Sequence, residues 1–86
     1  MRASIYKLNP ANGYAAADPD ANGQYFSIID LQAGSAALGD EVSWEGEYPL
    51  GPAKLTNHRT NETFDVIFEN HDVSKEHLLL QLRIEE

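Results

Sequence analysis

The stretch Thr63–Glu69, which reads Thr-Phe-Asp-Val-Ile-Phe-Glu, decides the fold of this 86-residue chain. Phe64, Val66 and Phe68 stand at every second position, and the opposite face carries the polar Thr63, Asp65 and Glu69, with Ile67 as its one apolar residue. Side chains on a β-strand point alternately to opposite faces, so this pattern predicts a strand with one buried and one solvated face.

The same period of two recurs on both sides of that stretch. It is clear between residues 41 and 48, where Val42 and Trp44 share one face with Gly46 and Tyr48. Three weaker strands are predicted from their β-branched and aromatic content. They span residues 3–8, 25–31 and 53–58.

The C-terminal segment allows two interpretations. Leu78, Leu80, Leu82 and Ile84 alternate as in a strand from His77 to Glu85, whereas a helix would scatter them around its circumference. Ser74 could cap a helix that begins near Lys75 and Glu76, and leucine is a good helix former. We expect the strand, preceded by a short helical turn near residues 72–76.

Six short strands separated by dense turn signals indicate an all-β domain that takes up the whole chain, residues 1–86. Turn residues cluster at 9–13, 20–23, 33–40, 49–52 and 60–62. We expect a small five- to six-stranded antiparallel barrel, SH3-like or OB-like, because closure leaves no exposed sheet edges. A small β-sandwich is the alternative.

Composition limits the classes of function. Fourteen acidic against six basic residues give a formal net charge of −8, which repels phosphate and makes nucleic acid an unfavourable partner. The absence of cysteine rules out disulfides and thiolate chemistry and favours a reducing compartment. No apolar run reaches the roughly 20 residues that span a bilayer, so we expect a cytoplasmic protein with no membrane segment.

The run Asp18-Pro-Asp20-Ala-Asn22-Gly23 has the spacing of a calcium-binding loop. Oxygen side chains at alternate positions followed by glycine begin the EF-hand loop. However, the twelfth position, where a bidentate Glu is needed, holds Ile29. The sequence therefore predicts a turn held by its own side chains, and a weak calcium site formed by Asp18, Asp20 and Asn22 is only an alternative.

The sequence gives little sign of catalysis. No serine lies in a nucleophile elbow, and no glycine-rich phosphate loop is present. His58, His71 and His77 lack the spacing of a zinc site. We therefore expect a protein that is not an enzyme and has no cofactor.

Asp40, Glu41, Glu45 and Glu47 place four acidic residues within eight positions that contain no Lys or Arg. If a strand runs from 41 to 48, the three glutamates lie on one face. We expect this acidic strand face to dock a basic protein partner. Alternatives are a small-ligand or weak calcium-binding barrel, and a homo-oligomer subunit that buries Ile67 and Leu79.

Overall fold

A computed structural model describes residues 1–19, 21, 23–32 and 36–82. The chain forms six strands followed by a short 3₁₀ turn, Lys75–His77, and one helical turn, α1 (Leu78–Gln81). The strands are β1 (Arg2–Asn9), β2 (Tyr14–Asp18), β3 (Tyr25–Asp30), β4 (Glu41–Ser43), β5 (Gly51–Asn57) and β6 (Glu62–Ser74).

The six strands close into an antiparallel barrel in the order β1-β2-β3-β6-β5-β4. Two three-stranded meanders, β1-β2-β3 and β4-β5-β6, join through the β3–β6 and β1–β4 pairs. The short β1–β4 ladder closes the ring with three pairs, Arg2↔Ser43, Ala3↔Val42 and Ser4↔Glu41. The predicted small antiparallel barrel is confirmed, and the sandwich is not formed.

The inward face of β6 is the centre of the barrel core. Val66 and Phe68 are buried inside, and the ring of Phe68 lies 4.9 Å from that of Trp44. The sequence pattern therefore identified the correct face of this strand. The other fully or nearly buried interior residues are Ala3, Ile5, Ala15, Ala17, Ile29, Leu31, Val42 and Leu55.

A second apolar cluster lies outside the barrel wall, where the C-terminal helical segment covers β2, β3 and the end of β6. It consists of Ala16, Phe26, Ile28, Val73, Leu78 and Leu82. The β1–β2 turn holds the end of this segment, because the Asn9 and Asn12 side-chain amides both donate to the Leu82 carbonyl, at 2.8 and 3.1 Å. These bonds satisfy a carbonyl that a helix end leaves without a partner.

The expected strand from His77 to Glu85 is wrong as far as the structure describes it, because residues 75–81 are helical. The helical turn, expected near 72–76, begins at Lys75. Leu78 and Leu82 lie one helical turn apart and are buried, whereas Leu80 is 76% exposed. The spacing of four was therefore the decisive signal, and the alternation that includes Leu80 was accidental. Residues 83–86 lie outside the described part.

Two further corrections concern strands. The alanine run at residues 15–17 is not among the six strands expected from the sequence, yet it forms β2. Ala15 and Ala17 face the barrel interior and Ala16 faces the helical layer, so both sides of β2 are buried. The strand expected from 41 to 48 ends at Ser43. Residues 44–50 form an irregular loop, which breaks the expected single acidic face.

Truncation of the covering helix tests the two-layer arrangement. Leu82→Ala removes a fully buried side chain and is expected to lower the free energy of unfolding by about 2–5 kcal/mol. The exposed Leu80→Ala is the control and is expected to change it by less than about 0.5 kcal/mol. Urea unfolding measures both. Equal effects of the two substitutions would contradict the arrangement.

Candidate functional site

Asp40 is the first predicted docking residue, and the structure corrects its place: it is only 4% exposed. One carboxylate oxygen, Oδ1, accepts from Arg59 Nε at 2.6 Å. The other, Oδ2, accepts from the Ala37 backbone N–H at 2.8 Å and from Asn57 Nδ2 at 2.9 Å. The hydrogen bond from Arg59 is the main reason that the pKa of Asp40 falls from its ordinary value to about 2. Asp40 therefore stabilises the barrel and does not face a partner.

Glu41 remains exposed but is paired with Arg2 of the neighbouring strand β1. Arg2 Nη2 lies 2.6 Å from Glu41 Oε2, and Arg2 Nε donates to Glu41 Oε1 at 3.2 Å. This two-pronged contact lowers the pKa of the Glu41 carboxyl. The charge of Glu41 is thus largely compensated, which leaves Glu45 and Glu47 as the unpaired members of the predicted set within the described residues.

Residues 44–50, which we call the acidic loop, are anchored at their start by Trp44. Its indole is buried, and its Nε1 donates to the Glu47 carbonyl at 3.4 Å. Its backbone exchanges two hydrogen bonds with Met1, one from the Met1 amino group to the Trp44 carbonyl and one from the Trp44 N–H to the Met1 carbonyl. The first turn of the loop is therefore fixed to the barrel.

His71 of β6 holds the far end of the acidic loop. Its Nε2 donates to the Pro49 carbonyl, so in the neutral ring Nδ1 accepts from Ser27 Oγ, 2.7 Å away. The imidazole stacks on Phe68 and contacts the Tyr48 ring edge-on at 5.4 Å. Sequence spacing does not predict this role, because the hydrogen-bond partners of His71 come from β3 and the acidic loop.

The anchored loop presents four exposed side chains to solvent. They are Glu45 and Glu47, with no ion pair in the described part of the chain, together with Tyr48 (55% exposed) and Leu50 (69% exposed). Tyrosine is among the residues enriched in binding hot spots, and anchoring of a loop reduces the entropy lost on binding. The loop is therefore an anchored and exposed surface with an acidic rim.

A cleft of about 550 Å³ lies between the start of the acidic loop and β5, where the two diverge in space. It is lined by Ser43, Trp44, Glu45, Ala53, Lys54, Thr56 and Thr63. Ser43 Oγ lies 2.7 Å from His58 Nε2, a pair that the sequence did not predict. The carboxylate of the neighbouring Glu41 is held by Arg2, and among the described residues no carboxylate is hydrogen-bonded to this imidazole as it would be in a catalytic triad.

The two Ser–His contacts join neighbouring parts of the barrel: Ser27 of β3 meets His71 of β6, and Ser43 of β4 meets His58, which follows β5. Ser27 is only 1% exposed, which keeps its hydroxyl away from any substrate. Among the residues that the structure describes, no group of three His, Asp or Glu side chains could hold a metal ion. The described helices include none that is long and apolar enough to cross a membrane.

Of the predicted calcium ligands, only Asp18 falls within the described residues, and Asp20 and Asn22 lie outside them. Asp18 is 6% exposed, and its Oδ2 accepts from the Gly23 backbone N–H at 2.8 Å. That hydrogen bond closes a turn held by its own side chain, as the sequence predicts. The other oxygen, Oδ1, is buried and has no hydrogen-bond partner among the residues that the structure describes.

The Asp40 network predicts a specific dependence of stability on pH. A carboxyl whose pKa is about 2 in the folded chain and about 3.9 when unfolded stabilises the fold above pH 4, and this contribution is lost as the pH falls towards 2. Asp40→Asn is therefore expected to cost about 1.5–3 kcal/mol at pH 7 and progressively less towards pH 2.

Urea unfolding at several pH values measures this difference. Asp65→Asn is the control, because its ion pair with Lys54 is largely exposed and contributes at most about 1 kcal/mol. A cost of Asp40→Asn that stays constant from pH 7 to pH 2 would show that the carboxylate charge is not what stabilises the barrel.

Comparison with known proteins returns no match. No protein family, curated protein or solved structure matches this chain. We therefore infer the function from the chemistry of the acidic loop and the adjacent cleft.

Proposed function

We propose that this chain is a non-enzymatic interaction domain that docks a basic segment of a protein partner on its acidic loop. One observation carries the proposal: the loop is fixed at both ends to the barrel, yet beside Tyr48 and Leu50 it exposes two carboxylates that no described residue pairs. The partner would supply cationic groups for Glu45 and Glu47 and an apolar group for the Tyr48–Leu50 surface.

The charge of the whole molecule supports a basic protein as the partner. The net charge of −8 attracts cationic segments over several ångströms and increases their rate of encounter. The same charge repels a nucleic-acid backbone. Because both glutamates are exposed, the attraction would weaken as salt screens it, with a Debye length of about 8 Å at physiological ionic strength. With no cysteine in the chain, the cytosol is the compartment we propose.

Charge reversal in the loop tests the proposal. The probe is the capped heptapeptide Val-Lys-Val-Arg-Val-Lys-Val, titrated by isothermal calorimetry and NMR. Glu45→Lys with Glu47→Lys is expected to raise its Kd at least about tenfold, a loss of about 1.4 kcal/mol. Both side chains are exposed, so the melting temperature should change little.

Glu62→Lys with Glu76→Lys is the matched control, because both residues are exposed and the net charge changes equally. This control should weaken binding far less. Equal weakening by both double variants would mean that the peptide senses only the overall charge, and the docking role of the acidic loop would then be rejected.

A weak calcium site is a second candidate, favoured by the buried Asp18 Oδ1 that lacks a partner. Calcium that binds only the folded chain would raise the melting temperature. We expect millimolar Ca²⁺ to raise it by several degrees and equimolar Mg²⁺ to have a smaller effect, because Mg²⁺ gives up its water reluctantly. The same melting temperature with and without Ca²⁺ would eliminate this candidate.

A further inference from the structure

The ladder between β4 and β5 is unusually short. It contains only the pairs Val42↔Asn57 and Ser43↔Thr56, whereas β5 pairs with β6 along its whole length. After Ser43 the chain stops pairing with β5 and continues as the acidic loop. Within the described residues, β5 from Gly51 to Leu55 therefore has a strand on one side only.

The hydrogen-bond pattern shows which backbone groups face the gap. The His58 N–H donates to the Glu41 carbonyl at 2.9 Å. Hydrogen-bonded pairs alternate along an antiparallel ladder, so on β5 it is Thr56 and then Lys54 that direct both backbone groups to the β4 side. Glu45 would be opposite Lys54, but no backbone hydrogen bond joins these two described residues. No described residue is bonded to the N–H or C=O of Lys54 on this side, so both groups are open to another chain.

These groups face the cleft of about 550 Å³ beside the acidic loop. The volume lies in the range of about 300–1,000 Å³ that ligand sites usually have. One wall carries Trp44 and Glu45 of the acidic loop, and the other carries Lys54 and Thr56 of β5. The cleft thus combines an open strand edge with a carboxylate of the proposed docking surface.

Pro52 sets the length of segment that this edge can pair. Two residues along β5 from Lys54, it occupies the next edge position and offers a carbonyl but no N–H. A pairing segment could therefore exchange two hydrogen bonds with Lys54 and donate one more to Pro52. Proline at a sheet edge discourages pairing with long strands, so the edge suits a short peptide segment.

We propose that the cleft binds a short extended segment of the basic partner as an added strand on β5, between β5 and the acidic loop. Backbone hydrogen bonds to Lys54 supply affinity, and a cationic side chain of the segment meets Glu45. Strand addition of this kind is a recurring mode of peptide recognition. The inference rests on the proposed function and specifies the conformation and register of the bound partner.

Backbone methylation of the probe tests this geometry without a change of charge. The heptapeptide Val-Lys-Val-Arg-Val-Lys-Val is made in two further forms, N-methylated at its odd or at its even amides. Only one set of amides in a strand faces its neighbour, so one form should lose at least about tenfold in affinity and the other should bind as the parent does. The amide of Lys54 should become protected from hydrogen exchange when the parent binds.

Lys54→Pro provides the test on the protein side. Its N–H points into the cleft and not to β6, so the substitution removes no barrel hydrogen bond and the chain should fold. We expect this substitution to raise the Kd of the parent peptide at least about tenfold. Lys54→Gln also removes the ion pair with Asp65 but keeps the N–H, and should bind as the wild type does.

The outcomes separate the two proposals. If reversal at Glu45 and Glu47 weakens binding while both methylated forms bind as the parent does, the acidic loop docks the peptide and strand addition is wrong. Equal loss by both methylated forms also overturns strand addition. Loss by one form only, without any effect of the charge reversal, would support the strand and reject electrostatic docking.

Discussion

Closure of the barrel between β1 and β4 is the constraint on which the rest of the structure depends. The ladder has three pairs and is extended at one end by hydrogen bonds of Ile5 with Asp40 and Gly39, and at the other by the Met1–Trp44 exchange. Without this contact the ring would open into a sheet with two free edges. The buried Asp40 carboxylate holds the segment before β4 against the end of β5, because it joins Ala37 to Asn57 and Arg59.

Closure also explains why the acidic loop exists in its observed form. Trp44 is the last residue whose backbone pairs towards β1, and its indole fills the barrel beside Phe68. Trp44 stays with β1 and the core while the chain diverges from β5, so the β4–β5 ladder ends after Ser43. The exposed glutamates and the open edge at Lys54 thus both result from the divergence of the chain from β5 after Ser43. A contact surface and a cleft arise side by side from the same chain path.

The sequence predicted strands in which apolar and polar residues alternate. It missed the strand that is buried on both faces. The inward set of β6 followed from the pattern of Phe64, Val66 and Phe68, because one side of that strand faces solvent. The alanine strand β2 carries no alternation, since the barrel core covers one of its faces and the helical segment the other. The segment at Leu78–Leu82 was misjudged for a related reason: the exposed Leu80 completed a period of two that packing does not use.

The candidate site was predictable only in part. Composition drew attention to the acidic run. Sequence spacing does not show that Arg59 holds Asp40 or that Arg2 holds Glu41, because each arginine is distant from its partner along the chain. Nor does it show that His71 fastens the loop through Pro49. Those contacts depend on strand order, which local pattern does not determine. Glu45 and Glu47 remain as the exposed part of that prediction.

The central claim is that the acidic loop is a fixed surface before any partner arrives. Backbone ¹⁵N relaxation of residues 45, 46, 47, 48 and 50 in the free protein tests it most directly. The anchors at Met1, Trp44 and His71 predict order parameters close to those of the barrel strands, about 0.85. Values below about 0.6 across the loop would show that it is mobile and would contradict the account.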